Sequence, residues 1–362
     1  MAGLTLRHGC HQRCRRLEVE KVSGHETFRY ERIGSAKSVL VVAPHPDDEI
    51  LAAGGLLQTV REAGASVNVL LLTDGDNNPW PQRWLEKRLR INTHDRRRWA
   101  QRRRSESALA LTRLGFSESV QTALGWPDLG ITDRLLDDPQ AILQPIRSLL
   151  STWQPDLLVL PTLDDHHPDH SAARIVFELA MATMPVANRP TLLGYCVHGP
   201  HSSGGELRLP AEQAANKAYA LEAHTSQLAL SGGRLRRLLG RTEHFVEALP
   251  PPPAPVAARL LLPWRPWPWL GHSCELLVLS DPRTWRLPLI DQVQEGSLRL
   301  SITAEGLILH FDKRLPSPLF VKIRSRISTP WIYDSWNWIS ADDAARLTAA
   351  ADSSSLAQAG TE

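Results

Sequence analysis

Two short runs of metal-type side chains mark where chemistry can occur: His45-Pro46-Asp47-Asp48-Glu49 and His166-His167-Pro168-Asp169-His170. Imidazole and carboxylate are the nitrogen and oxygen donors of catalytic zinc, which takes three protein ligands and keeps one position for water. His45 and Asp48 lie three residues apart and can converge on one ion, and His170 can complete the set. Asp47 then stands as a carboxylate beside the attacking water, placed to accept its proton. His167 lies on the opposite side, able as imidazolium to stabilise an oxyanion and then to protonate a leaving amine. Asp169 is expected to hold His167 in the tautomer and charge state that role requires. The reaction class is metal-assisted hydrolysis of an amide or ester. The bland alternative is a pair of strand-end turns with capping aspartates and chance histidines. Glu49 reads as a helix-start acid. His166 has two readings, a solvated side chain or a substrate contact.

Both clusters need the same support, a buried strand that ends just before them. SVLVVA (38–43) precedes the first and LLVL (157–160) the second, with further apolar runs at 67–73 and 192–197. Helical patterns separate these runs at 48–63, 105–114, 142–153 and 171–182. Buried strands alternating with helices predict an α/β domain with a Rossmann-like, mostly parallel sheet and helices on both faces. In such a sheet the carboxyl ends of the strands form the ligand crevice, so both clusters point into one place. Near Pro250 the chain becomes proline-rich, and beyond it CELLVLSD, SLRLSITAEGLILHF and PLFVKIRSRI alternate as strands do. The expected organisation is an N-terminal extension (1–37), a catalytic domain (38–245), a Pro/Trp-rich linker (246–271), a small β-rich module (272–345) and a disordered tail (346–362).

PHPDDE after one strand and HPDH after a later one resemble the LmbE-like, or PIG-L, family of zinc-dependent N-acetylglucosamine deacetylases. The resemblance covers roughly residues 38–230. It implies removal of acetate from an N-acetylated amino sugar on a larger glycoconjugate. His45, Asp48 and His170 match the family's metal ligands, Asp47 its general base and His167 its intermediate-stabilising residue. Arg103-x-x-Glu106 is similar to an RxxE helix whose arginine reaches the sugar, and Pro127-Asp128 to a PDG turn whose aspartate meets sugar hydroxyls. Leu129 stands where that turn has glycine. Lys217 to Gln227 resembles a K-to-SQ helix. Zn2+ is the implied cofactor, with Fe2+ in its place under reducing growth.

Composition narrows the partners. The chain has 362 residues and 41 basic against 39 acidic side chains, a net charge of +2 that gives no global pull toward nucleic acid. Locally, Arg83 to Arg104 holds ten basic residues against Glu86 and Asp95. That stretch reads as capture of an anionic glycan, or as a solvated helical face. Four scattered cysteines fit a reducing compartment, and Cys10 and Cys14 with His8 and His11 form half a zinc site without a second half. No apolar run is long enough to span a bilayer. The indoles of 263–269 read as linker packing or as an interfacial anchor. The sum is a de-N-acetylase of a bacterial surface glycan or lipid-linked precursor, cytoplasmic, either free or peripheral at the inner membrane. The competing readings are an amidase for another amide of a sugar conjugate and a non-catalytic glycan- or membrane-surface-binding protein.

Overall fold

The computed structural model describes residues 30–199, 204–248, 258–264, 273–303, 306–313, 315, 317–327, 332–342 and 344. The described residues fall into two compact units that divide between Pro252 and Pro253. The first unit runs α1 (Tyr30–Ser35), β1 (Ser38–Ala43), α2 (Asp48–Glu62), β2 (Ser66–Thr73), α3 (Pro79–Glu86), α4 (Thr93–Arg113), β3 (Gln121–Trp126), α5 (Ile131–Asp137), α6 (Pro139–Trp153), β4 (Leu157–Pro161) and α7 (Pro168–Ala182). It continues through β5 (Thr191–Tyr195), β6 (Gly205–Arg208), α8 (Ala211–Leu221), α9 (Thr225–Leu238) and β7 (Thr242–Ala248).

These strands make one seven-stranded sheet in the order β3-β2-β1-β4-β5-β7-β6. Pairing is parallel from β3 to β5, and β7 runs antiparallel to both β5 and β6. The chain winds outward from β1 through β2 to β3 on one side, then crosses to β4 and β5 on the other. The carboxyl ends of β1 and β4 therefore flank the switch point where a crevice opens. The register Val39↔Leu157, Leu40↔Leu158, Val41↔Val159 sets the two strand ends side by side. Both strands are apolar throughout because helices cover both faces, and Val39 to Val42 and Leu158 to Leu160 are wholly buried. Ile50, Leu56 and Leu57 of α2 pack on this layer with Val69, Leu111, Val159 and Phe245. Each such side chain contributes about 1.5–3 kcal/mol, which is what makes the strand ends a rigid mount.

Local signals explain the helix ends. Asn92 and Asp95 form a reciprocal capping box that starts α4 well upstream of the helical pattern expected at 105–114. Gly64, at φ +81°, closes the turn after α2. The expected K-to-SQ helix is two helices: Lys217 lies on α8 and Ser226 on α9, with a turn between them.

The second unit holds two four-stranded sheets, β10-β9-β14-β15 and β11-β12-β13-β8. Its strands are β8 (Arg259–Leu262), β9 (Cys274–Ser280), β10 (Arg283–Pro288), β11 (Val293–Glu295), β12 (Leu298–Ile302), β13 (Leu307–Phe311), β14 (Phe320–Ser325) and β15 (Ile339–Ser340). Leu260, Leu276, Val278, Leu300, Leu309 and Val321 share its core. Within the segment 246–271, Arg259–Leu262 is a strand paired antiparallel with β13, because its short apolar run survives between the proline clusters. The Cys10/Cys14 half-site, most of the 1–37 extension, the indoles beyond Trp264 and the 346–362 tail lie outside the described residues.

Candidate functional site

His45 sits just past β1 and His170 in the first turn of α7, after β4. Their donor atoms meet Asp48 in a small triangle. His45 Nδ1 is 3.2 Å from Asp48 Oδ2, His170 Nε2 is 3.0 Å from the same oxygen, and the two ring nitrogens are 3.3 Å apart. Ligands about 2.0–2.1 Å from a tetrahedral ion are roughly 3.3 Å from one another, so this donor set has the spacing and chemistry of a zinc-type site. Wider groupings of the same side chains bring His167, His198, Asp128 and Asp169 within 4.8 Å of parts of this triangle.

The far nitrogen of each ring is held by carboxylate. Asp165 Oδ2 lies 3.0 Å from His170 Nδ1. His45 Nε2 lies 3.2 Å from Asp128 Oδ1 and 3.3 Å from Asp169 Oδ2. Such partners fix which nitrogen faces a metal and raise its basicity. Burial works to lower the pKa of both imidazoles, and the carboxylates outweigh it. His170 is driven to about 9 by Asp165 and Asp48, and His45 well above its ordinary value by Asp128, Asp169 and Asp48. Burial would raise Asp48, but His170 and His45 pull it well below the usual carboxylate range.

The Asp169 carboxylate was expected on His167; it instead accepts the amides of Leu129 (2.7 Å) and Ile131 (3.2 Å) and touches His45, while its backbone amide donates to His167 Nδ1 (3.3 Å). The two oxygens of Asp128, the residue matched to a sugar-contacting aspartate, lie against His45 Nε2 and the Asn77 amide (2.9 Å). Both carboxylates lie against the His45 ring. The turn between them needs a left-handed residue, and Leu129 supplies it at φ +62°. That is the physical reason glycine suits this position.

Asp47 occupies the N-cap of α2 at φ +129°, ψ −27°. A conformation of this kind costs on the order of 1–3 kcal/mol and persists only where its surroundings enforce it. Glu49 Oε2 accepts the Asp47 amide at 2.9 Å while its other oxygen takes Ser107 Oγ at 2.5 Å. Burial pushes the Asp47 carboxyl up to about 6 against the pull of Arg103. A base poised there serves proton transfer near neutrality. Arg103 was expected to reach the sugar. It is buried, donating to Gly75 O (2.6 Å) and Pro46 O (2.7 Å), with Asp47 Oδ1 at 3.5 Å. It braces the strand-end loops and the base. Glu106 accepts from Ser226 N (3.0 Å, Oε1) and Ser226 Oγ (2.5 Å, Oε2), so the RxxE and SQ segments meet as a cap on α9.

His167 packs against the triangle, its ring centroid 4.5 Å from His45 and 5.0 Å from His170. Because Nδ1 accepts a backbone hydrogen bond, the neutral ring carries its proton on Nε2. Burial, together with the neighbouring His45 and His170, holds it well below its ordinary pKa. His166 is half-buried. Its amide donates to His198 O at 3.0 Å and ties the start of α7 to the loop after β5.

The arginine-rich stretch is largely spent on its own fold. Arg88 and Arg98 pair with Asp95, Arg98 also with Glu86, Arg102 with Glu106, and Arg104 with Asp74. Arg96 donates to Asn77 Oδ1 at 2.6 Å. Sequence reasoning passed over Asp165 and His198. Asp165 accepts from the amides of His167, Val197 and His198 as well as from His170, joining the β4 and β5 loops. Its signal was its place, five residues before His170 at a buried strand end. His198 lies 4.9 Å from His170, centroid to centroid, and Arg234 donates to its Nδ1 at 2.7 Å; nothing in its sequence surroundings marked it.

Residues 40–181 match the family model described as PIG-L, GlcNAc-PI de-N-acetylase. The chain is 27% identical over 213 residues to a probable N-acetyl-alpha-D-glucosaminyl L-malate deacetylase 2 of Bacillus anthracis, covering 56% of this chain and 86% of that protein. It is 28% identical over 169 residues to a 1D-myo-inositol 2-acetamido-2-deoxy-alpha-D-glucopyranoside deacetylase of Corynebacterium kroppenstedtii, covering 43% of each. The chain thus spans less than half the length of this second relative. Among solved structures it is similar to the N,N'-diacetylchitobiose deacetylase from Pyrococcus horikoshii, with a TM-score of 0.49 and 19% identity over 61% of this chain and 87% of that one.

Proposed function

From the premise that the chain carries a domain of the PIG-L, or LmbE-like, deacetylase family, we propose that it hydrolyses the acetamido group of an N-acetylated amino sugar in a bacterial surface glycan or glycolipid precursor. The observation that carries this reading is the triangle of His45 Nδ1, Asp48 Oδ2 and His170 Nε2, with Asp47 and His167 beside it. When bound there, zinc, or iron(II) with the same donors, supplies Lewis acidity that polarises the acyl carbonyl and acidifies water. Asp47 takes the proton of the attacking water. Glu49 holds the Asp47 backbone in its strained conformation, and Arg103 lies 3.5 Å from the carboxylate. His167 donates a hydrogen bond through its Nε2–H to the charge developing on the acyl oxygen. Asp47 then passes the proton it took from water to the nitrogen as the C–N bond breaks, and the products are acetate and a free amine. A cytoplasmic location at the inner face of the membrane belongs to the same reading, and the four scattered cysteines support it.

The test is acetate release by the metal-loaded chain from a panel of N-acetylglucosaminides that differ in phosphate and lipid. Acetate with a matching amount of new amine is the expected result. Release of a different acyl group would move the reaction to another amide of a sugar conjugate. Binding without turnover across the panel would leave a glycan-binding protein and overturn the proposal.

A further inference from the structure

Of the twelve large apolar side chains that stand exposed among the described residues, four fall within ten positions: Trp80, Trp84, Leu85 and Leu89. Trp80 (65% exposed) and Trp84 (67%) are one turn apart on α3 and share a face, while Pro81 and Gln82 are buried on the other side. Leu89, 90% exposed, follows in the turn after the helix. The cations of the same stretch sort into two groups. Arg88 and Arg98 are neutralised by Asp95 and Glu86. Lys87, Arg90 and Arg97 are exposed and form no ion pair among the described residues. Arg83 lies over the Trp80 ring at 5.0 Å.

Indoles and leucines beside uncompensated cations are complementary to one surface in particular. We propose that α3, the turn after it and the start of α4 dock on an anionic phospholipid bilayer, with Trp80 and Trp84 at the headgroup level and Lys87, Arg90 and Arg97 on lipid phosphates. A second copy of this chain would set like charge against like, and a neutral apolar partner would leave three cations without use. The site gains from this placement. Asn78 caps α3, and the preceding Asn77 donates its amide to the Asp128 carboxylate that touches His45. Trp80 is therefore at most about 11 Å of chain from Asn77, so docking brings the crevice to the lipid surface. The inference does not rest on the reaction proposed above, because membrane binding is read without turnover.

The experiment is co-sedimentation of the full-length chain with vesicles of phosphatidylcholine alone and of phosphatidylcholine mixed with phosphatidylglycerol. Binding to the anionic vesicles, lowered by salt and much weaker on phosphatidylcholine, is expected. The double variant Trp80→Ser/Trp84→Ser is expected to bind at least about tenfold more weakly. The variant Lys87→Gln/Arg90→Gln/Arg97→Gln is expected to lose on the order of fivefold for each charge removed. All five side chains are outside the candidate site, so both variants keep the parent's melting temperature and its activity on a soluble substrate. Absence of vesicle binding by the parent overturns the proposal. So does undiminished binding by the tryptophan variant, which would place the contact elsewhere on the chain. A concentration-dependent dimer that the tryptophan variant abolishes would assign the surface to a second copy instead.

Discussion

Asp165→Asn tests whether the metal-binding ring of His170 is held from behind. One oxygen of Asp165 accepts the His167 amide at 3.0 Å; the other accepts His170 Nδ1 at 3.0 Å and the amides of Val197 and His198 at 2.9 and 3.2 Å. Asparagine keeps the shape but replaces one acceptor by a donor. Whichever way it turns, an NH2 group faces an N–H. The milder choice abandons the His167 amide, and a buried donor left without a partner costs about 1–3 kcal/mol. His170 also loses the negative charge that, with Asp48, raises its pKa to about 9, so Nε2 becomes a poorer donor. Loss of such a supporting partner lowers metal affinity about 10- to 100-fold. Competition with a chromophoric chelator gives the dissociation constant for zinc, and thermal melting of the metal-free protein gives the fold term separately. An affinity within about twofold of the parent, alongside a lowered melting temperature, would make Asp165 a loop staple only and refute its role in orienting His170.

Three further outcomes are expected. His45→Ala and His170→Ala each leave two ligands, and elemental analysis is expected to show metal content collapsing in both. Asp47→Asn is expected to retain its metal and lose about 10²- to 10⁴-fold in turnover, read as kcat with metal content measured in parallel; parent-like turnover would remove Asp47 from the proton transfer. Leu129→Gly is expected to be neutral or to stabilise by up to about 1 kcal/mol, since relief of a left-handed φ is partly offset by the entropy of glycine. Leu129→Val is expected to melt below the parent, and equal melting would show that the turn carries no strain.

The strands that mount the site were legible because β1 and β4 are buried on both faces and so read as continuous apolar runs. The histidine clusters were legible because their donors lie within a few residues of those runs. What was missed depends on contacts across long stretches of chain. Asp128 and Asp169 both close on His45, and neither pairing has a local sequence signal. Arg103 was read as reaching outward, whereas its guanidinium turns inward to the carbonyls of Pro46 and Gly75. The strand at β3 (QTALGW) is only partly buried, so it lacked the apolar run that marked its neighbours. Within the arginine-rich stretch, composition gave the field but not its neutralisation, which required α3 and α4 to be folded against each other through Glu86 and Asp95.

The switch point between β1 and β4 has a consequence for how the protein gains its stability. His45 and His170 are 125 positions apart, and only the pairing of these two strands brings their nitrogens together. An unfolded chain has no such site, so an ion that binds the native triangle draws the folding equilibrium toward the native state. At a free metal concentration about one hundred times the dissociation constant, that linkage amounts to about 2.7 kcal/mol. The β1–β4 seam also closes a very long loop, and contacts of high sequence separation form slowly. The donor triangle therefore exists only once β1 and β4 are paired at the centre of the sheet.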